Sequence, residues 1–412
     1  MTVAQKITWT LFAAQALSST GFLASGTINS IVAADLSGRS EWAGTPSAVF
    51  QIGIAGASLL LGYAMDLVGR RRALATAFAI GAVGAGVAAW AISRHMFAAF
   101  LGGLALMGAA GAAAGLSRFT AAEVHQPDQR GRAIAYVVIG GTVGTAIWPI
   151  LSVTLGPWIT RWGFDDLTWP YVVCLALLAL TSVLITTFLR PDPREIALAL
   201  AAGSEPEAGT PVDTGAPLMD IVSRPGAIVA IGSMVFGHAV MVMVMVVTSL
   251  HMRNHSHGVP AISLTTAVHV LGMYAFSILS GRLADRIGRG PVIVSGAVIL
   301  MLACLVASLS PAFLPITLGL FLLGFGWNFC FVGGSSLLSD QLSPDERGRT
   351  QGFNDLLMGL IAASGSIVSG YLFAAVGYSS MVMISAAISV APLALVAWWH
   401  LTSANRQGIA TP

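Results

Sequence analysis

Apolar residues along this chain gather in long runs separated by short polar stretches, and they do not alternate. Runs long enough to cross about 30 Å of hydrocarbon as helices occur at 7–34, 45–66, 71–92, 97–121, 131–155 and 170–190. Six more lie at 225–250, 260–281, 290–309, 313–339, 350–375 and 379–402. The pattern predicts an all-α membrane protein with twelve transmembrane helices. Gln15, Ser18, Ser19 and Thr20 interrupt the first run, but its apolar character continues past Gly26. It therefore reads as a spanning helix and not as a cleaved leader.

The chain repeats itself. GYAMDLVGRRR at 62–72 returns as GRLADRIGRG at 281–290, and QRGRAIA at 129–135 returns as ERGRTQG at 346–352. The offsets are 281 − 62 = 219 and 347 − 130 = 217. Two related six-helix bundles are expected, at 1–190 and 225–412. Between them, 191–224 is rich in Pro, Gly and charge and reads as a linker, with a short helix expected around Leu218 to Val222.

Composition agrees with the apolar runs. The chain is 56% hydrophobic and 9% charged, where a soluble domain carries about a quarter charged residues. Of 20 basic residues, only Arg39, Arg94, Arg161 and Arg253 fall on the outer side of a twelve-span layout with its N-terminus inside, which leaves 20 − 4 = 16 inside. This bias places both termini and the linker in the cytoplasm of a multi-pass inner (cytoplasmic) membrane protein. The net charge of +2 then reflects topology, and no nucleic-acid partner is expected. Trp42, Trp90, Trp158, Trp162 and Trp169 lie at predicted outer ends, as an aromatic belt would. Cys174, Cys304 and Cys330 sit in separate spans without CxxC spacing and read as packing residues, Cys330 being a lesser candidate for a substrate-facing thiol. Gly81, Gly84, Gly108, Gly111 and Gly115 lie inside apolar spans and read as helix-packing positions. No Walker motif, HExxH or nucleophile elbow is present, so neither enzyme activity nor a cofactor is expected.

In the repeated loop, Gly62 and Gly281 are expected to let helices approach closely. Asp66 and Asp285 are placed to pair with Arg70, Arg289 or a facing helix N-terminus. Such a cluster would hold one side of the bundle closed and release it during rocking. GYAMDLVGRRR, GRLADRIGRG and the two-times-six layout resemble the major facilitator superfamily over the whole chain. That resemblance implies alternating access, with the second gate weaker because Gly290 and Pro291 stand where basic residues are usual.

The stretch MVMVMVVTSLHMRNHSHG at 241–258 concentrates unusual chemistry. At about 100° per residue, Met234, His238, Met241, Met245 and Met252 share one face of the seventh span, and Met243 points elsewhere. His269 and Met273 are four apart on the eighth span. His251, His255 and His257 lie around the loop between them. Thioethers and imidazoles together suit Cu(I), so Met241, Met245, His269 and Met273 are candidate ligands, with His238 and the loop histidines auxiliary. The spacing equally allows a packing stripe or promiscuous apolar pocket, or a proton-carrying or structural histidine.

MxxxM on the seventh span followed by HVLGM, with GFGWNF and FVGG at 324–334 and GFND at 352–355, resembles CcoA-like copper importers. The resemblance implies metal-site roles for Met241, Met245, His269 and Met273. The same subgroup contains riboflavin transporters. The expected function is copper uptake by a monomeric secondary transporter whose partners are the lipid bilayer and the transported ion. The alternative is a proton-coupled carrier of a small organic molecule, with Asp35 and Asp355 as further coupling candidates.

Overall fold

The computed structural model describes residues 2–126, 129–161, 163, 165–196, 217–342 and 344–408. Most of the 191–224 linker, residues 197–216, lies outside them. The described residues are mostly helical, with no strand among them. They form two compact units, Met1–Ala208 with Gly258–Ala267 and Gly209–His257 with Val268–Pro412.

The first part of the chain supplies α1 (Val3–Gly26), α2 (Asn29–Ser37), α3 (Thr45–Val68), α4 (Arg70–Ser93), α5 (Phe97–Glu123), α6 (Arg130–Arg161) and α7 (Trp169–Phe188). Then come α8 (Leu218–Val222), α9 (Pro225–Asn254), α10 (Val259–Tyr274), α11 (Ser277–Ile287), α12 (Arg289–Ser308), α13 (Phe313–Asp340), α14 (Pro344–Ile388) and α15 (Val390–Gly408). α8 is the short helix expected near the linker's end. Local chemistry starts the helices where the apolar runs begin. The Thr2 hydroxyl accepts from the Gln5 amide, and the Gln5 side chain accepts from the Thr2 amide, closing a capping box on α1. Prolines open α3, α7 and α9, where a missing N–H costs nothing.

Ten described stretches are long and apolar enough to cross a membrane. One of them, Phe353–Thr402, has 50 residues, about 75 Å of helix at 1.5 Å per residue and more than twice the hydrocarbon thickness. Gly377, at φ 76° and ψ 172°, breaks it into the expected eleventh and twelfth spans. α1 is not among the ten. It packs on α6 and α7 just as its counterpart α9 packs on α14 and α15. α4 on α5 is likewise matched by α12 on α13. With these two adjustments the count is 10 + 1 + 1 = 12 spans in two six-helix repeats.

Three sequence readings change. The first and eighth spans are each two helices, broken at Thr27–Ile28 and at Ala275–Phe276. Trp169 is buried against Trp148, with ring centroids 5.3 Å apart, and so leaves the belt, whereas Trp42, Trp90 and Trp158 are exposed. Trp162 lies outside the described residues. Gly81, Gly84, Gly108 and Gly111 do sit at close helix contacts, but a Cβ on Gly62, Gly281 or Gly115 would meet nothing within 4 Å.

Candidate functional site

α13 is the scaffold of the site. Its glycines bring α10 into backbone contact: a Cβ on Gly324 would fall on the His269 carbonyl, and one on Gly272 would lie 2.5 Å from the Phe321 carbonyl. This closeness lets the His269 ring reach across, and its Nδ1 lies 2.8 Å from the Leu320 carbonyl oxygen. A carbonyl can only accept, so Nδ1 donates and carries the proton. In the neutral ring Nε2 then has a bare lone pair. That nitrogen is buried and has no hydrogen-bond partner among the described residues. Metal-binding imidazoles are commonly oriented in this way, with the second nitrogen donating to a carbonyl.

Met273, one turn on, is buried as well. Asn328 donates to its carbonyl at 2.7 Å and to the Ser277 hydroxyl at 2.9 Å, and accepts from Ser280 at 2.7 Å. These bonds satisfy polar groups at the α10–α11 break, as backbone at membrane depth requires. The sequence signal for Asn328 was a single amide within the apolar GFGWNF run.

The methionine face of α9 meets the same helix. Met234 lies against Gly334 and accepts from the Ser335 hydroxyl at 3.3 Å through sulfur. The Trp327 indole donates to His238 Nδ1 at 3.1 Å, which occupies that lone pair and leaves Nε2 of the neutral ring protonated. In this geometry His238 is a donor and not a ligand. Met241 is buried and Met245 half-buried, whereas Met243 lies near Gly365 of α14, on a different face. Trp327 also stacks on Phe331 (4.8 Å, 16°) and meets Tyr274 edge-on, which makes an aromatic wall beside His238.

The remaining histidines form a separate group. His251 stacks on Tyr378, His255 lies against His251, and His257 Nε2 bonds the Pro311 carbonyl at 2.9 Å. Among the described residues no three His, Cys, Asp and Glu side chains form a group able to hold a metal. Cys330 is fully buried between Gly237 and Gly296, so it is a packing thiol and not a substrate-facing one. Asp35 and Asp355 are both exposed.

The repeated loops carry matching ion clusters. Arg70 bonds Glu123 through Nε at 3.0 Å and Nη2 at 3.2 Å, and donates to the Met65 carbonyl. Arg289 bonds Asp340 at 2.9 Å and Asp285 at 3.1 Å, and donates to the Ala284 carbonyl. The Asp66 side chain lies outside the described residues. Glu123 and Asp340 were missed in the sequence, although 340 − 123 = 217 repeats the offset already noted. Asp192, from the segment after the sixth span, accepts from the backbone amides of Arg70 and Arg71 at 3.1 Å each and caps the start of α4. At the linker's other end, Arg224 forks onto Glu346 at 2.7 and 2.9 Å, and that bond raises its pKa.

The sequence pattern of the Major Facilitator Superfamily matches residues 11–253 and 229–409. The MFS-type transporter YdeG of Bacillus subtilis is 32% identical over 93% of this chain and 89% of its own length. The riboflavin transporter RfnT of Brucella anthropi is 29% identical over 82% of this chain and 81% of its own. Among solved structures, the nucleoside transporter NupG superposes with a TM-score of 0.71 over 97% of this chain and 99% of its own. At 17% identity that likeness concerns the fold alone.

Proposed function

This chain belongs to the Major Facilitator Superfamily, and on that premise we propose that it is a secondary transporter that takes up copper by alternating access. The observation that carries the reading is the His269 imidazole. Its tautomer is set by the Leu320 carbonyl, and its Nε2 is buried without a partner. An orphaned polar atom at that depth calls for a cause, and a soft metal ion is one that also accounts for Met273 a turn away. Met241 and Met245, on the face of α9 that meets α13, complete a donor set suited to Cu(I). The protein works as a monomer in the cytoplasmic (inner) membrane, with both termini and the linker inside. The Arg70 and Arg289 clusters, with Asp66 and Asp285, act as gates on that side.

A second reading has its own support in the aromatic wall of Trp327, Phe331 and Tyr274 and in the printed name of RfnT. It is a proton-coupled carrier of a planar organic solute such as riboflavin, with His238 as proton carrier.

Whole-cell uptake of radioactive copper and of radioactive riboflavin separates the two. Copper accumulation at low external copper should fall in Met241→Leu and His269→Ala and persist in Met243→Leu. Riboflavin uptake, with copper accumulation unchanged in all three variants, would replace the first reading with the second.

A further inference from the structure

We propose that His251 and His255 form a two-imidazole metal clip at the end of α9, which takes a divalent first-row transition ion, Cu²⁺ above the others. Its existence is a matter of binding alone; its use rests on the copper reading above and needs a one-electron reductant from outside this chain to turn the captured Cu²⁺ into the Cu(I) that the thioether site takes. Two histidines four apart on one helix face can bind one ion together. α9 ends at Asn254 and His255 is its C-cap, with φ −104° and ψ 28° outside the helical region, yet the two rings still lie side by side. The ring centroids are 4.4 Å apart with planes at 57°. With metal–nitrogen distances of about 2.0–2.1 Å, two cis imidazoles hold their ring centres about 4.5–5 Å apart, so little movement is needed.

Both rings are prepared for the task. His255 Nδ1 lies 2.9 Å from the His251 carbonyl oxygen and must donate to it. In the neutral ring its Nε2 is then bare, and the side chain is exposed. His251 is held by a parallel stack on Tyr378 at 3.9 Å and 6°, and the Tyr378 hydroxyl is itself fixed to Thr248 at 3.0 Å. One ligand is therefore rigid and the other open to solvent. His257 is turned to another partner, its Nε2 donating to the Pro311 carbonyl at 2.9 Å, and the ring pair is made by His251 and His255. Two protein ligands leave coordination positions open, which suits capture and release more than storage. Imidazole nitrogens favour Cu²⁺ over the other divalent first-row ions.

The test is a Cu²⁺ titration of the purified full-length protein in detergent, followed by electron paramagnetic resonance. One tight site with hyperfine structure from two nitrogens is expected. His255→Ala should weaken it by at least the roughly tenfold that even an outer partner of a metal ligand is worth. His251→Phe, which keeps the stack on Tyr378 and so the fold, should do the same. Wild-type Cu²⁺ binding in both variants would overturn the clip. His269→Ala should keep the two-nitrogen signal while copper uptake falls. Intact uptake with an intact signal would count against the copper path, and a lost signal in His255→Ala would still establish the clip.

Discussion

Asn328 supplies at the break in the eighth span what an apolar side chain there cannot. Three hydrogen bonds of 2.7–2.9 Å tie it to Met273, Ser277 and Ser280, on both sides of the break. Replacing it by Leu keeps the volume and strands the Met273 carbonyl, while the Ser277 and Ser280 hydroxyls fall back on backbone carbonyls. A stranded buried group costs about 1–3 kcal/mol, so Asn328→Leu should melt at a lower temperature in detergent. It should also accumulate less copper, because Met273 loses its anchored backbone. A variant with wild-type melting and uptake would make these bonds incidental. His238 is a related case. If its ring serves Trp327 and not the ion, His238→Ala should spare copper uptake at low copper far better than His269→Ala does, in the same transport assay. Equal losses would put His238 back among the ligands.

At the scale of helices, the α10–α13 contact is the element on which the site depends. Gly324→Ala would place a methyl group on the His269 carbonyl and push the two helices apart, a disturbance of the overpacking kind that costs about 1–3 kcal/mol. Gly115→Ala, where nothing lies within 4 Å, should leave melting and uptake unchanged. Thermal melts of the two variants side by side check this, and equal stability would refute the close packing. The sequence made most of the spans legible because length and hydropathy define them, α1 apart, and it marked the Gly377 break by the gap between two runs. The breaks at Thr27–Ile28 and Ala275–Phe276 were hidden, since hydropathy does not change there and the satisfying partner, Asn328, is more than fifty residues from Met273. Trp169 was misread for a related reason: an aromatic near a span end looks the same in sequence whether it faces lipid or Trp148. Of the site, the residue types and their faces were legible. The bare nitrogen of His269 was not, because it follows from the Leu320 carbonyl on another helix. The loop histidines looked like one group, yet Pro311 holds His257 apart from the pair.

For the whole molecule, the repeated ion clusters make the most demanding claim. Each arginine binds an acid at the far end of a helix in its own unit and a carbonyl just before its own helix: Arg70 with Glu123 and Met65, Arg289 with Asp340 and Ala284. If both clusters act as gates, Glu123→Gln and Asp340→Asn should both lower transport, because each loses charge in one place only and shifts the balance between states. Insertion and expression should hold, since the carbonyl bonds remain. The two losses should differ in size. The Arg70–Glu123 side chains are 16% and 32% exposed, whereas Arg289–Asp340 are 27% and 49%. A more exposed pair is more screened and worth less. Glu123→Gln is therefore expected to impair initial copper uptake more than Asp340→Asn at equal membrane levels. Cysteine labelling completes the experiment by fixing the side on which the gates lie: a probe at 256 should be reached from outside, and one at 208 should not. Reversed labelling would move the gates to the outer face. A larger loss in Asp340→Asn would mean that the second cluster, despite Gly290 and Pro291, carries the greater share of the gating.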